Sequence, residues 1–387
     1  MSERLAIGIL CYSSLGGSGV VATELAAGLA RRSHRVHVLA SAPPSRPLPE
    51  CSNLFFHEIT PSDYPLFERP EYALAAASAI VEVAQEHRLD VLHVHYAVPH
   101  AASAHLARQV LGEGAPALVT TLHGTDVTRI GAHPSYRSIT RFSVMASTAV
   151  TVPSEFLRRE AIRLLGLPDE TRVEVIPNFV DTERFAPPAV RDPARLATLF
   201  PPDDGGAEGG PILFHVSNFR PVKRTADLIE VLARLRRRVP ARLVLVGDGP
   251  DRSRAAERAR ELGIARSVAF LGKRTDFAEL LGHADAFVLP SESESFGVAA
   301  LEALSAGVPV FGYRVGGLPE VVAEDAGRLV APHDVDALAA AVLDVVADPE
   351  RRRAAGRSAR ERATALFPTD RALDRYEASY RRALAGC

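Results

Sequence analysis

Residues 5–10, Leu-Ala-Ile-Gly-Ile-Leu, run into Cys11-Tyr12-Ser13-Ser14-Leu15-Gly16-Gly17-Ser18-Gly19, then into an amphipathic stretch, Val20–Arg32, and a second apolar run, Val36–Ala40. A short apolar run, a glycine-rich turn, apolar residues at three- and four-residue spacing and another short run are the marks of a βαβ unit on a parallel sheet. The alternation continues: strands are predicted at Val91–His95, Ala117–Leu122, Ala149–Val152 and Val173–Ile176, and helices at Tyr72–His87, His100–Leu111, Ser138–Ala146 and Glu155–Leu165.

The rhythm stops near Ala186. Between Pro187 and Pro211 proline, glycine and aspartate break both periodicities, which predicts a linker and a mobile loop, the latter around Pro201-Pro202-Asp203-Asp204-Gly205-Gly206. Alternation restarts with strands at Ile212–Val216, Arg242–Val246, Ser267–Leu271, Ala286–Leu289, Val308–Gly312 and Gly327–Val330, and after Val335 only helical patterns follow. The expected fold is α/β: two doubly wound, Rossmann-like lobes facing a cleft, with C-terminal helices. Residues 1–186 form the first lobe, 187–211 the linker and 212–366 the second lobe, while 367–387 is a helix that can return to the first lobe.

The chain has 387 residues, enough for two domains of roughly 150 to 200 residues. Its 47% hydrophobic and 24% charged residues exclude a disordered or collagen-like chain. A net charge of -2 and the lack of a basic stripe with interleaved aromatics argue against nucleic acid. Cys11, Cys51 and Cys387 are odd in number and far apart, which fits a reducing, cytoplasmic setting. No segment reaches membrane-spanning length, so no stable membrane anchor is expected. The clusters Arg236–Arg238 and Arg351–Arg353 read as solvated helix faces. Nothing excludes a homo-oligomer.

Ligands of open α/β sheets bind beyond the C-terminal strand ends. On the first lobe, Gly16 and Gly17 precede a helix whose free N–H groups suit an anion, although a plain tight turn also fits; the spacing is not G-x-G-x-x-G, which disfavours a nicotinamide cofactor. His93 and His95 lack a nearby Cys or carboxylate in the pattern, so no metal is expected. His123, before Gly124 at a strand end, either serves a ligand or is satisfied by its own loop. On the second lobe, Asn218, Arg220 and Lys223 lead into a helix. Cations there oppose the helix dipole unless an anion is bound, so a phosphate site is the stronger reading. Only two of the 45 basic residues are lysines, Lys223 and Lys273. Finally, Glu294-Ser295-Phe296-Gly297 and Glu302 bracket a helix start, where amides can meet phosphate and carboxylates can accept from sugar hydroxyls.

Glu294 and Glu302 make an E-x7-E pattern, and together with Gly16-Gly17, Arg220/Lys223 and Gly316-Gly317-Leu318-Pro319-Glu320 the chain resembles the retaining GT-B glycosyltransferases of family 4. The segments Cys11–Gly19, His95–His100, Thr121–Asp126 and Ser217–Arg220 are similar to the branch that transfers N-acetylglucosamine from UDP-GlcNAc to L-malate, the first step of bacillithiol biosynthesis. Asn218 departs from the arginine that many relatives carry there. The resemblance implies that Glu302 holds the ribose, that Glu294 and Ser295, Phe296 and Gly297 meet donor sugar and diphosphate, with Leu301 beside them, and that Gly272 and Lys273 border the uracil. Arg220 and Lys223 would neutralise the leaving diphosphate with help from Gly16 and Gly17, and His123 would meet the sugar near its 6-hydroxyl. Ser18, Tyr96, Thr125 and Arg141 are the candidates for malate. No cofactor and no metal are implied, and the departing phosphate would take the acceptor proton. A family 4 transferase for inositol phosphate or a lipid-linked acceptor, a UDP-sugar epimerase, and a UDP-sugar sensor without turnover are the competing readings.

Overall fold

The computed structural model describes residues 4–13, 16–61, 71–168, 173–201 and 210–386. The chain divides into two units, 1–178 with 369–387, and 179–368. In the first unit the order is β1 (Ala6–Leu10), α1 (Gly17–Arg31), β2 (Arg35–Ala40), β3 (Leu54–Glu58), α2 (Tyr72–His87), β4 (Val91–His95), α3 (Ala102–Leu111), β5 (Ala117–Thr121), α4 (Pro134–Met145), β6 (Ala149–Val152), α5 (Glu155–Leu165) and β7 (Val173–Val175). The second unit holds α6 (Ala194–Ala197), β8 (Ile212–Val216), α7 (Thr225–Leu235), β9 (Arg242–Val246), α8 (Arg252–Glu261), β10 (Val268–Gly272) and α9 (Phe277–Leu281). It continues with β11 (Ala286–Leu289), α10 (Val298–Ser305), β12 (Val310–Tyr313), α11 (Leu318–Val321), β13 (Gly327–Val330), α12 (Val335–Val346) and α13 (Pro349–Leu366). The chain then ends in α14 (Thr369–Ala385).

Among the described residues the first unit carries a seven-stranded sheet, β3-β2-β1-β4-β5-β6-β7, and the second a six-stranded one, β10-β9-β8-β11-β12-β13. All pairings are parallel. The strand order reverses between β1 and β4 and again between β8 and β11, which makes those two places the ligand positions of doubly wound sheets. The buried runs that decided the reading, such as Ile7, Ile9 and Leu10, are fully covered, as strands with helices on both faces require.

Three features differ from the sequence reading. β3 escaped it, because an edge strand of partly exposed residues, Leu54-Phe55-Phe56-His57-Glu58, shows no alternation. The described residues of 187–211 belong to the second unit; Leu196 and Phe200 are buried in its core, each worth about 1.5–3 kcal/mol, which anchors them. Residues 202–209, where the loop was expected, lie outside the described residues. The division also comes earlier than Ala186, since Val180 and Phe185 are buried in the second core and the Val180 amide donates to the Phe367 carbonyl (3.0 Å).

The helix α14 belongs to the first unit. It buries Leu373, Tyr376, Tyr380 and Ala383 at helical spacing, and Tyr380 Oη lies 2.8 Å from His93 Nδ1. Its other face pairs Asp370 and Asp374 with Arg32 of α1. The cluster Arg351–Arg353 is consumed by local carboxylates: Arg351 meets Asp344 at 2.6 Å, Arg352 meets Asp285 and Arg353 meets Glu350.

Candidate active site

In the second unit the loops after β8, β11 and β12 are stitched to one another by the backbone. Beyond β8, the Ser217 hydroxyl takes the Phe219 amide (3.2 Å) and bonds to His215 Nε2 (2.8 Å), whose ring also meets the Val288 carbonyl (2.8 Å). Phe219 is thereby held at φ 41, a conformation costing about 1–3 kcal/mol in a non-glycine residue and characteristic of ligand loops. Next, the Glu292 amide donates to the Val222 carbonyl (2.8 Å), joining the β11 loop to the β8 loop, and the Gly317 amide donates to the Glu294 carbonyl (2.9 Å), joining the loop after β12.

This frame sets Lys223 Nζ 2.6 Å from Glu294 Oε1, with side chains only 21% and 11% exposed. The sequence placed the two residues in one site without pairing them; seventy-one positions apart, they meet because β8 and β11 are neighbours. α10 starts at Val298, two residues later than the reading assumed, with Gly297 at φ 101 as its cap. Glu302 is buried in its second turn. Phe296 and Leu301 are core residues, Phe296 edge-on to Phe367, so only their backbone is available to a ligand. Asn218 Oδ1 is buried with no protein partner. Arg220 and Lys273 are exposed, and Gly272, at φ 67, accepts the Gly247 amide (2.8 Å) at the sheet's β10 edge.

In the first unit Gly16 caps α1, Gly17 begins it, and Ser18 in its first turn lies 3.0 Å from Tyr96 Oη beyond β4, so three of the predicted residues and a fourth converge at the β1/β4 reversal. Ser14 and Leu15 of the same loop lie outside the described residues. His123 Nε2 is 2.8 Å from His95 Nδ1, so its partner comes from the neighbouring strand and not from its own loop. Burial, reinforced by the nearby His100, lowers His123 to about 3. At neutral pH it is an uncharged hydrogen-bonding group.

Sequence reasoning missed Asp126. Its Oδ1 accepts the amides of His123 (3.0 Å) and Gly124 (2.9 Å), and its Oδ2 accepts that of Ala97 (3.2 Å), tying the β5 loop to the β4 loop. Burial raises its carboxyl to about 6 in spite of these donors. The signal was present as an aspartate three residues after a strand-end histidine, where side chains capture turn amides. Thr125 is exposed and caps the helical turn Asp126–Ile130. Arg141, exposed on α4, donates to the Gly166 carbonyl (3.3 Å).

Residues 15–184 match the model of Glycosyltransferase Family 4, and residues 200–362 match that of Glycosyl transferases group 1. The N-acetyl-alpha-D-glucosaminyl L-malate synthase of Bacillus anthracis is 42% identical over 378 residues, covering 97% of each chain. This chain belongs to glycosyltransferase family 4. More distantly, the transferase is 28% identical to the D-inositol 3-phosphate glycosyltransferase of Mycobacterium marinum, over 95% of this chain and 82% of that one. The sucrose-phosphate synthase of Thermosynechococcus elongatus has the same fold, with TM-score 0.80 and 24% identity across 99% of this chain and 100% of that one. Anabaena HepE, solved with UDP and glucose, gives TM-score 0.76 and 20% identity over 96% and 98%. The fold is therefore GT-B, and the transferase is an enzyme of glycosyl transfer. Among the described residues no helix is long and apolar enough to cross a membrane.

Proposed function

We propose that the transferase moves N-acetylglucosamine from UDP-GlcNAc to the hydroxyl of L-malate, with retention at the anomeric carbon and without a metal, in the cytoplasm. The observation that carries the reading is the 42% identity, over nearly the full length, to an N-acetyl-alpha-D-glucosaminyl L-malate synthase; the inositol phosphate transferase is only 28% identical. The geometry of each unit supports it. Breaking a glycosyl–phosphate bond leaves negative charge on the diphosphate, and a fixed cation aimed there acts on the transition state more than on the ground state. Lys223, held by Glu294, is such a cation, and the start of α10 adds amides of matching sign. Arg220 is exposed beside it and supplies a second charge. Because His123 is neutral, it orients a sugar hydroxyl and carries no charge; the departing phosphate takes the malate proton.

Glu302 accepts from the ribose hydroxyls in this reading. Glu302→Ala should therefore weaken UDP binding by about 1–3 kcal/mol, roughly 5- to 150-fold in Kd, in calorimetry; an unchanged Kd removes Glu302 from the donor site.

On the acceptor side Ser18, Tyr96 and Thr125 supply hydroxyls. For the carboxylates we propose Arg129 in place of Arg141: Arg129 follows Thr125 by four residues on the same turn, which brings their side chains to one face, and among the described residues it has no ion-pair partner. Malate should then stimulate UDP release far more than inositol phosphate. Lactate, with one carboxylate, should be poor. Arg129→Ala should raise the malate KM while sparing UDP affinity, and Arg141→Ala should change neither. An epimerase would consume the donor without malate, a sensor would release no UDP, and faster turnover with inositol phosphate would replace the acceptor assignment. EDTA should leave the rate intact, whereas a strict requirement for added magnesium contradicts the metal-free account.

A further inference from the structure

The outer edge of the first sheet carries a cluster of histidines that glycosyl transfer does not use. β2 and β3 pair with His37 opposite Phe55 and Leu39 opposite His57. Paired residues of parallel strands, and those two positions further on, share a face, so His37 and His57 project from the same side. α2 ends beside them, and the ring of its last residue, His87, stacks on that of His37 with centroids 4.1 Å apart. One ring nitrogen from each of the three lies within 4.8 Å of the others, the only such trio of His, Cys, Asp or Glu among the described residues.

Packing alone explains this arrangement poorly. His37 is fully buried, its Nδ1 meets His57 Nε2 at 2.9 Å, and its Nε2 has no partner. A buried polar atom left unpaired costs about 1–3 kcal/mol, which a leucine or phenylalanine in the same space would avoid. The donor set has a clear chemical preference. Three imidazoles without a thiolate suit zinc, copper, nickel or cobalt, and not calcium or magnesium, which take oxygen ligands. Neutral imidazole is the binding form of such ligands. Local charge is balanced: the Glu86 carboxylate lies 3.8 Å from His87 Nε2, while Arg35 donates to the His87 carbonyl. Metal–nitrogen bonds of about 2.0–2.1 Å set ligand nitrogens about 3.3 Å apart, so the rings need to close by about 1.5 Å at most. His57 and His87 are half-buried and have room to turn.

We propose that His37, His57 and His87 form a zinc-class transition-metal site with three imidazole ligands and an open fourth position, which fastens the edge strand β3 to β2 and to the end of α2. Its place in the sheet, at β2 and β3, separates it from Tyr96 and His123 beyond β4 and β5. The site belongs to the edge strand and not to the reaction.

The test uses the full chain, stripped with chelator and dialysed, titrated with Co2+ as a spectroscopic probe and then with Zn2+ in competition. One equivalent of Co2+ should give visible absorption of a four-coordinate nitrogen site, zinc should abolish it, and zinc should raise the thermal midpoint. His57→Gln and His87→Ala should each lose the spectrum and the thermal shift while keeping the wild-type circular dichroism, UDP affinity and transfer rate. Co2+ binding with the same stoichiometry and spectrum in the doubly substituted chain overturns the site, as does the absence of metal uptake by the wild type at micromolar metal. A transfer rate that falls with the metal site would overturn its separation from catalysis.

Discussion

Replacing Lys223 by alanine is expected to lower kcat by about 10²- to 10³-fold, the effect of removing one preorganised charge stabiliser from a transition state. The side chain leaves the short turn Pro221–Lys223 and is fixed by Glu294 at 2.6 Å, so it is oriented before the donor arrives and needs little reorganisation during bond cleavage. If Lys223 faces the diphosphate as proposed, loss of the cation acts twice. The leaving diphosphate keeps its charge unmatched, and the Glu294 carboxylate, only 11% exposed, is left beside it as a like charge. Lys223→Arg should recover little, since a planar fork does not reproduce a point charge in the same place. Steady-state UDP release on folded protein decides the matter. If Lys223 served only as a structural partner of Glu294, the substitution would lower the thermal midpoint and leave kcat near the wild-type value.

The candidate site was legible in the sequence where one local segment carries both the strand end and the ligand group. Gly16-Gly17-Ser18, His123-Gly124 and Glu294–Gly297 each announce a turn, a helix start and a polar group within a few residues, and βα rhythm assigns them all to strand ends. Pairings between segments were a different matter. That Lys223 meets Glu294, and His95 meets His123, depends on which strands are neighbours, and periodicity gives strand existence without strand order. Asp126 was read as part of a motif, but its three amide partners come from two loops. Arg141, a candidate for malate in the sequence, donates from α4 to the Gly166 carbonyl, a contact that no local pattern announces. The histidine trio was invisible for a related reason: His57 sits on the strand the reading lacked, and without β3 nothing brings it to His37.

The segment Gly316-Gly317 shows the same dependence on tertiary approach, and it yields the second large effect. Gly316 has φ 56, and a Cβ on it would lie 1.9 Å from the Glu294 carbonyl oxygen. Contact with rigid backbone at that distance cannot be relieved by a side-chain rotation, so an alanine must push the two loops apart by more than 1 Å to reach ordinary contact. The same carbonyl accepts the Gly317 amide at 2.9 Å, and that bond breaks with the shift. Glu294 then moves with its backbone, and Lys223, whose orientation depends on it, loses its anchor. Gly316→Ala is therefore expected to reduce kcat/KM by about 10²-fold or more, the usual consequence of a displacement near 1 Å in a reacting geometry. Gly317 offers the comparison: its φ is -83, which any L-residue adopts, so Gly317→Ala should be much milder as long as its amide is kept. Kinetics of the two variants, with UDP affinity measured alongside, separate a loop that merely tolerates glycine from one whose Lys223–Glu294 pair requires it; equal and small effects at both positions would show that the Glu294 loop does not depend on this approach.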